Sequence, residues 1–184
     1  MGVNMFRKII EKMKDKNIVF DIGLTQTEVK SIEEIYHIKF PKSLRELIQY
    51  ALPISEGFYN WRNMSAENIE LIKSAMSLPY EEIRENPQEV YWCEDWGERP
   101  KDEKQVQNII LEKLAKAPQL IPIYSHRYIP EKSGDNPPIF SVNGLDIIYY
   151  GKDLYNYLEI EFFNGKEIED LSEFQSITFW SELL

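Results

Sequence analysis

The sequence predicts an α+β fold in a single domain spanning residues 1–184, with N-terminal helices packed on a largely antiparallel twisted sheet. Three observations lead there. Apolar residues recur at helical spacing through about residue 116, short β-rich runs punctuated by Gly and Pro follow, and helices first with strands later is the order of an α+β domain. With 184 residues, 43% of them hydrophobic and 13% aromatic, the chain can enclose one sizeable core.

Phe6, Ile9, Ile10 and Met13 stand at i, i+3, i+4 and i+7 and form the apolar stripe of a first helix. In "LTQTEV", Thr25 and Glu28 are spaced as a capping box, with Leu24 and Val29 at the flanking staple positions. A second helix follows to about Tyr36, its buried face expected at Val29, Ile32 and Ile35. "FPKSLRELIQYALP" starts a third, with Pro41 in the first turn, Ser43 and Glu46 spaced as another capping box, and Pro53 closing it. Its inner stripe is Leu44, Leu47, Ile48 and Ala51. Two helical segments near 65–77 and 79–86, an acidic aromatic loop "EVYWCEDWGERP" and a helix over 103–116 come next.

"QLIPIY" and "PIFSVNGLDIIYYG" then read as strands. Pro122 cannot donate to a ladder, so its strand is expected at an edge or with a bulge. Asn143-Gly144 is a favoured dipeptide for a two-residue hairpin with positive φ at both central positions. "KDLYNYLEIEF" and "DLSEFQSITFWSELL" look like closing helices, although "YLEIEFF" alternates well enough for a strand.

The net charge of −10 argues against binding a nucleic-acid backbone, which rests on Lys and Arg displacing counterions. Residues 81–98 carry seven acidic side chains against one basic, and 159–184 the same, so each segment is −6. A basic protein partner is the natural inference, against the plainer alternative that acidic surfaces keep a domain soluble. No apolar run is long enough for a membrane span, and the N-terminus mixes Lys and Glu through its apolar positions, unlike a signal peptide. A cytoplasmic protein is expected, its oligomeric state left open.

Catalytic and phosphate-binding templates such as GxxxxGK[ST], GxGxxG, GxSxG and HExxH are absent. Two histidines and one cysteine supply no thiolate zinc cluster or His-rich metal site, so no cofactor is expected. Cys93 lies beside acids that disfavour a thiolate. Candidate partner-binding residues are Glu89, Tyr91, Trp92, Glu94, Asp95, Trp96 and Glu98, because Tyr and Trp serve as binding anchors and the charge beside them steers a basic partner. The alternative is that this loop folds back as a packed lid. Trp61, after the third helix, is expected to cap the core or, failing that, to wall a pocket.

"LIPIYSHRYIP" holds one of the two histidines. If residues 120–128 run as one strand, Ile121, Ile123, Ser125 and Arg127 point one way and Tyr124, His126 and Tyr128 the other. Ser125 and His126 then face apart and make no nucleophile–base pair. The Tyr124, His126 and Tyr128 row is expected to be structural, with ligand or partner contact as the alternative, so that His126→Ala and Tyr128→Ala each lower the melting temperature. A bulge at Pro122 would shift this parity.

The runs "GLTQTEVKSIEEIYHIKFPKSLRELIQYALPISEGFYNW", "LIPIYSHRYIP", "GDNPPIFSVNGLDIIYYG" and "LYNYLEIEF" together resemble the bacterial branch of the SUKH superfamily, whose fungal members are the Smi/Knr-type cell-wall assembly regulators. The likeness covers about residues 24–163; no single motif is specific, but the ordered set is. It implies an α+β domain that binds rather than catalyses, since many bacterial relatives are immunity proteins that neutralise a toxin, often a nuclease. A Smi/Knr-type regulatory or scaffolding adaptor is the alternative. The acidic aromatic insert, about residues 78–101, departs from the commoner pattern.

Overall fold

In the computed structural model, which describes residues 2–131, 133–166 and 170–184, helices α1 (Gly2–Asp15), α2 (Gln26–Tyr36) and α3 (Lys42–Tyr50) precede the long α4 (Ala66–Glu85) and α5 (Glu103–Leu114). A four-stranded antiparallel sheet follows, and α6 (Leu154–Phe163) packs on it. The sheet order is the sequence order: β3 (Leu120–Tyr124), β4 (Arg127–Pro130), β5 (Ile139–Asn143) and β6 (Asp146–Gly151). A second, two-stranded antiparallel sheet pairs β1 (Phe20–Ile22) with β2 (Ala51–Pro53). The α+β architecture is therefore the observed one. No helix among the described residues is long and apolar enough to cross a membrane.

Local signals set the helix ends. The Thr25–Glu28 capping box forms in both directions, and Leu24 and Val29 are both buried beside it. The buried face of α2 is shifted from the expected one: Val29, Ile32, Glu33 and Tyr36 are buried, while Ile35 is half-buried. Glu33 can lie inside because Lys39 Nζ, Arg45 and the Phe40 N–H all reach its carboxylate, at 2.8, 3.1 and 3.0 Å. Burial works to raise this carboxyl, but those donors outweigh it and hold it below its ordinary value.

The Ser43–Glu46 box does not form. Pro41 is the N-cap, Ser43 lies inside the first turn, its N–H donates to the Asp135 carbonyl at 2.8 Å, and its buried hydroxyl has no partner among the described residues. Nor does the helix run to Pro53, because residues 51–53 turn extended to pair with β1, a sheet too short to show in the hydrophobic pattern.

Residues 66–85 form one helix rather than two, with Pro79 inside it. A proline has no N–H for the carbonyl four residues back, which here is Ala75. The Tyr128 hydroxyl donates to that carbonyl at 3.0 Å, and Gln119 Nε2 donates to Met76 O at 3.2 Å. Two side chains thus satisfy acceptors at the break, and the helix continues. The last stretch, expected as a helix, instead makes two 3-10 turns, Leu171–Glu173 and Trp180–Leu183. "YLEIEFF" is helical within α6, which buries Leu154, Tyr157 and Leu158 at i, i+3 and i+4.

Both faces of the four-stranded sheet are covered. Ile121, Ile123, Ile129 and Ile139 join a cluster with α1, α2, α3 and α6. Leu120, Tyr128, Phe140, Val142 and Ile147 join a second with Tyr80 and Ile83 of α4, with α5, and with Phe179 and Trp180. The β5–β6 hairpin turns on Gly144-Leu145 rather than Asn143-Gly144: Asn143 pairs with Asp146, and positive φ occurs at Gly144 alone. A turn with glycine first needs positive φ only at that position.

Candidate functional site

The insert joins the end of α4 to α5 through 3-10 turns at Pro87–Glu89 and Glu94–Trp96. Its apolar residues point inward. Val90 is buried, and the Trp92 and Trp96 rings meet edge to face at 5.3 Å against the second cluster. Trp92 Nε1 donates to Gly97 O at 2.8 Å and lies under the Arg99 guanidinium, which itself donates to Gln88 O. Trp96 is gripped from three sides: it stacks on Phe179, Lys113 Nζ stands 4.6 Å from its centroid, and its Nε1 donates to Glu182. Burial works to raise the Glu182 carboxyl, yet the Phe179 N–H, Trp96 and Lys113 outweigh it and keep it below its ordinary value.

The polar residues of the insert face out. Glu89, Glu94, Asp95 and Glu98 are exposed and enter no ion pair among the described residues. Tyr91 is 54% exposed. Of the seven expected contact residues, four carboxylates and one tyrosine therefore form a surface, while the two tryptophans hold the loop to the body. Cys93 is half-buried. In the second acidic segment, Glu167 and Glu169 lie outside the described residues.

The "SHRY" stretch is a hairpin and not one strand. Ser125 and His126 are the two turn residues between β3 and β4, and the register shifts between Pro122 and Tyr124, on what is the edge strand of the sheet. The bulge sends Ile123 and Tyr124 both toward the first cluster, whereas Tyr128 enters the second and His126 is exposed. The expected row of three is thereby split.

Ser125 and His126 do not face apart either: Ser125 Oγ and His126 Nδ1 are 3.1 Å apart. A turn residue with φ +47 no longer obeys strand alternation. Other groups already occupy the serine's backbone, its N–H donating to Gly57 O and its carbonyl accepting from the Tyr59 hydroxyl, each at 2.8 Å. Partial burial and the Arg127 cation lower the His126 pKa, against an opposing pull from Glu161. No carboxylate among the described residues hydrogen-bonds its ring. The pair thus has neither an orienting third group nor a free serine N–H to donate to an oxyanion. Nearby, Arg127 bonds Glu161 and Ser141 and lies 3.8 Å from the Tyr150 ring centroid.

Trp61 is 3% exposed and packs edge-on against Tyr36 and Phe40 at 5.4 and 5.1 Å. No group of three or more His, Cys, Asp or Glu side chains suited to a metal ion gathers among the described residues.

A feature that the sequence reading missed is a cleft of about 640 Å³ between α4 and residues 114–119, with Lys73, Tyr80 and Arg84 on its α4 wall. The signal was present as Lys73, Met76, Tyr80 and Arg84 at i, i+3, i+7 and i+11. Splitting α4 at Pro79 hid it. Comparison of the chain with protein-family models, with characterised proteins and with solved structures gives no match.

Proposed function

We propose that this chain is a non-enzymatic protein-binding domain, an immunity protein of the SUKH type that neutralises a partner toxin by covering a basic surface of it. The observation that carries the reading is the insert. Four exposed carboxylates, in no ion pair among the described residues, share with an exposed tyrosine a loop whose Trp96 bonds Glu182 of the body and whose Trp92 packs against the second cluster, so the acidic surface is held in shape before any partner arrives. A preformed surface loses little ordering entropy on binding, and its field speeds encounter with a cation-rich partner. The ordered resemblance over residues 24–163 supports the same reading, and the net charge of −10 fits a basic partner.

The test is neutralisation of a toxin domain encoded by a neighbouring gene. Co-expression of this chain restores growth, and the E89Q/E94Q/D95N/E98Q variant, matched in thermal unfolding, loses the rescue and associates more slowly at low salt. Association and rescue unaffected by that variant overturn the reading.

A further inference from the structure

In a chain of net charge −10, three cations stand along one groove. Lys73 and Arg84 rise from the α4 wall of the 640 Å³ cleft. The cleft adjoins an apolar hollow of about 380 Å³, with which it shares Arg84 and Leu114, and a hollow of about 320 Å³ that carries Lys116 and shares Pro118 and Glu131 with it. None of the three cations enters an ion pair among the described residues. Arg84 lies 6.0 Å from the Tyr80 ring centroid. The carboxylate in these walls, Glu131, is buried and accepts the Lys39 N–H at 2.6 Å.

The groove is also built rigidly. The Tyr80 hydroxyl donates to Pro118 O at 2.8 Å and accepts the Leu120 N–H at 3.0 Å, tying the helix wall to the start of β3. Gln119 Nε2 bonds Met76 O across the same seam. A groove fixed in this way is ready for an occupant without rearrangement.

The spacing of the cations selects the occupant. Lys73 and Arg84 are eleven residues apart on one helix face, roughly 16 Å at 1.5 Å per residue. Cations so far apart cannot converge on one phosphate or carboxylate. An extended peptide covers that distance in about four to six residues, of which the even spacings leave both end side chains on one face, and Met76 and Tyr80 line the cleft between the cations.

The geometry points to a docking groove for an extended acidic peptide segment of a second partner protein, with carboxylates near Lys73 and Arg84 and apolar residues between them. This goes beyond the proposed immunity function, whose surface takes a partner of opposite charge.

The experiment uses the full chain and a fluorescein-labelled nonapeptide of leucines with glutamates four residues apart, an even spacing that puts both on one face of an extended chain, alongside the same peptide with lysines, in a polarisation titration at low salt. The glutamate peptide binds saturably and the lysine peptide does not. K73E/R84E weakens binding by about tenfold or more, as expected for reversing two contacts, with unchanged thermal unfolding. E89Q/E94Q/D95N/E98Q does not weaken it, since removing negative charge can only ease the approach of an acidic peptide, which separates this groove from the insert. Equal binding by K73E/R84E, preference for the lysine peptide, or absence of saturable binding overturns the proposal. So does R84E-sensitive binding of inorganic phosphate without peptide binding, which would make the cleft a small-anion site.

Discussion

Replacing Tyr128 with phenylalanine removes one hydroxyl and leaves the ring, which is 2% exposed, where it packs. That hydroxyl takes the Ala75 carbonyl, and Ala75 is the acceptor that Pro79 cannot serve. The loss strands an acceptor at the middle of α4. A buried carbonyl without a partner costs about 1–3 kcal/mol, and Ala75 is only half-buried, so the lower half of that range, about 1–2 kcal/mol, applies. For a chain of this size that corresponds to a fall of roughly 2–8 °C in melting temperature. The assay is a double-mutant cycle by urea denaturation with Pro79→Ala. Alanine restores the N–H at position 79, so the Ala75 carbonyl regains a helical donor and Tyr128→Phe becomes nearly silent in that background. A coupling below about 0.5 kcal/mol, the scatter expected of independent sites, would refute the idea that the tyrosine replaces the proline's missing donor.

Glu182→Ala removes the acceptor shared by Trp96, Phe179 N–H and Lys113; it should cost about 1–2 kcal/mol and shift tryptophan emission to the red as the insert loosens. Arg62 bonds Glu28 and Asp21, each at 2.7 Å, and with Thr25 it holds the Glu28 carboxyl at about 2, below its ordinary 4.5. A depressed carboxyl contributes stability in full above its unfolded value, lost as pH falls from 4.5 toward 2, so Arg62→Met should flatten the pH dependence of the urea midpoint across that window. His126→Ala, expected from a strand reading to be destabilising, removes an exposed turn side chain and should change stability by less than about 0.5 kcal/mol; a larger loss would show that the Ser125 contact holds the hairpin.

Most helix positions could be read from the sequence because periodicity and capping act over short distances. Thr25 and Glu28 are three residues apart, and nothing elsewhere in the fold overrode them. Most of the failures share a cause, namely partners distant in sequence. Pro79 breaks an isolated helix, but here Tyr128, forty-nine positions later, repairs it. Pro53 was read as a helix stop, while the Phe20–Ile22 strand draws its segment into a sheet. The acidic aromatic insert was legible as a candidate surface, yet the division of labour within it was not, since Phe179, Lys113 and Glu182 decide that Trp96 turns inward. Ser125 and His126 were misread because a bulge and a positive-φ turn replaced the assumed alternation.

The two-sided burial of the four-stranded sheet bears on how its strands find their register. In a sheet with one wet face, a slip by one residue carries apolar side chains into water and is rejected at once. Here a slip of β4 would exchange Ile129 and Tyr128 between two interiors, and both would remain dry. Hydrophobicity therefore discriminates poorly between the alignments, and the choice passes to groups that fit only one. The Tyr128 hydroxyl has its acceptor on one side of the strand, and the Arg127 guanidinium has Glu161 and Ser141 on the other. Neighbouring polar residues on opposite faces thus act as a key cut on both edges, which admits this strand in a single alignment.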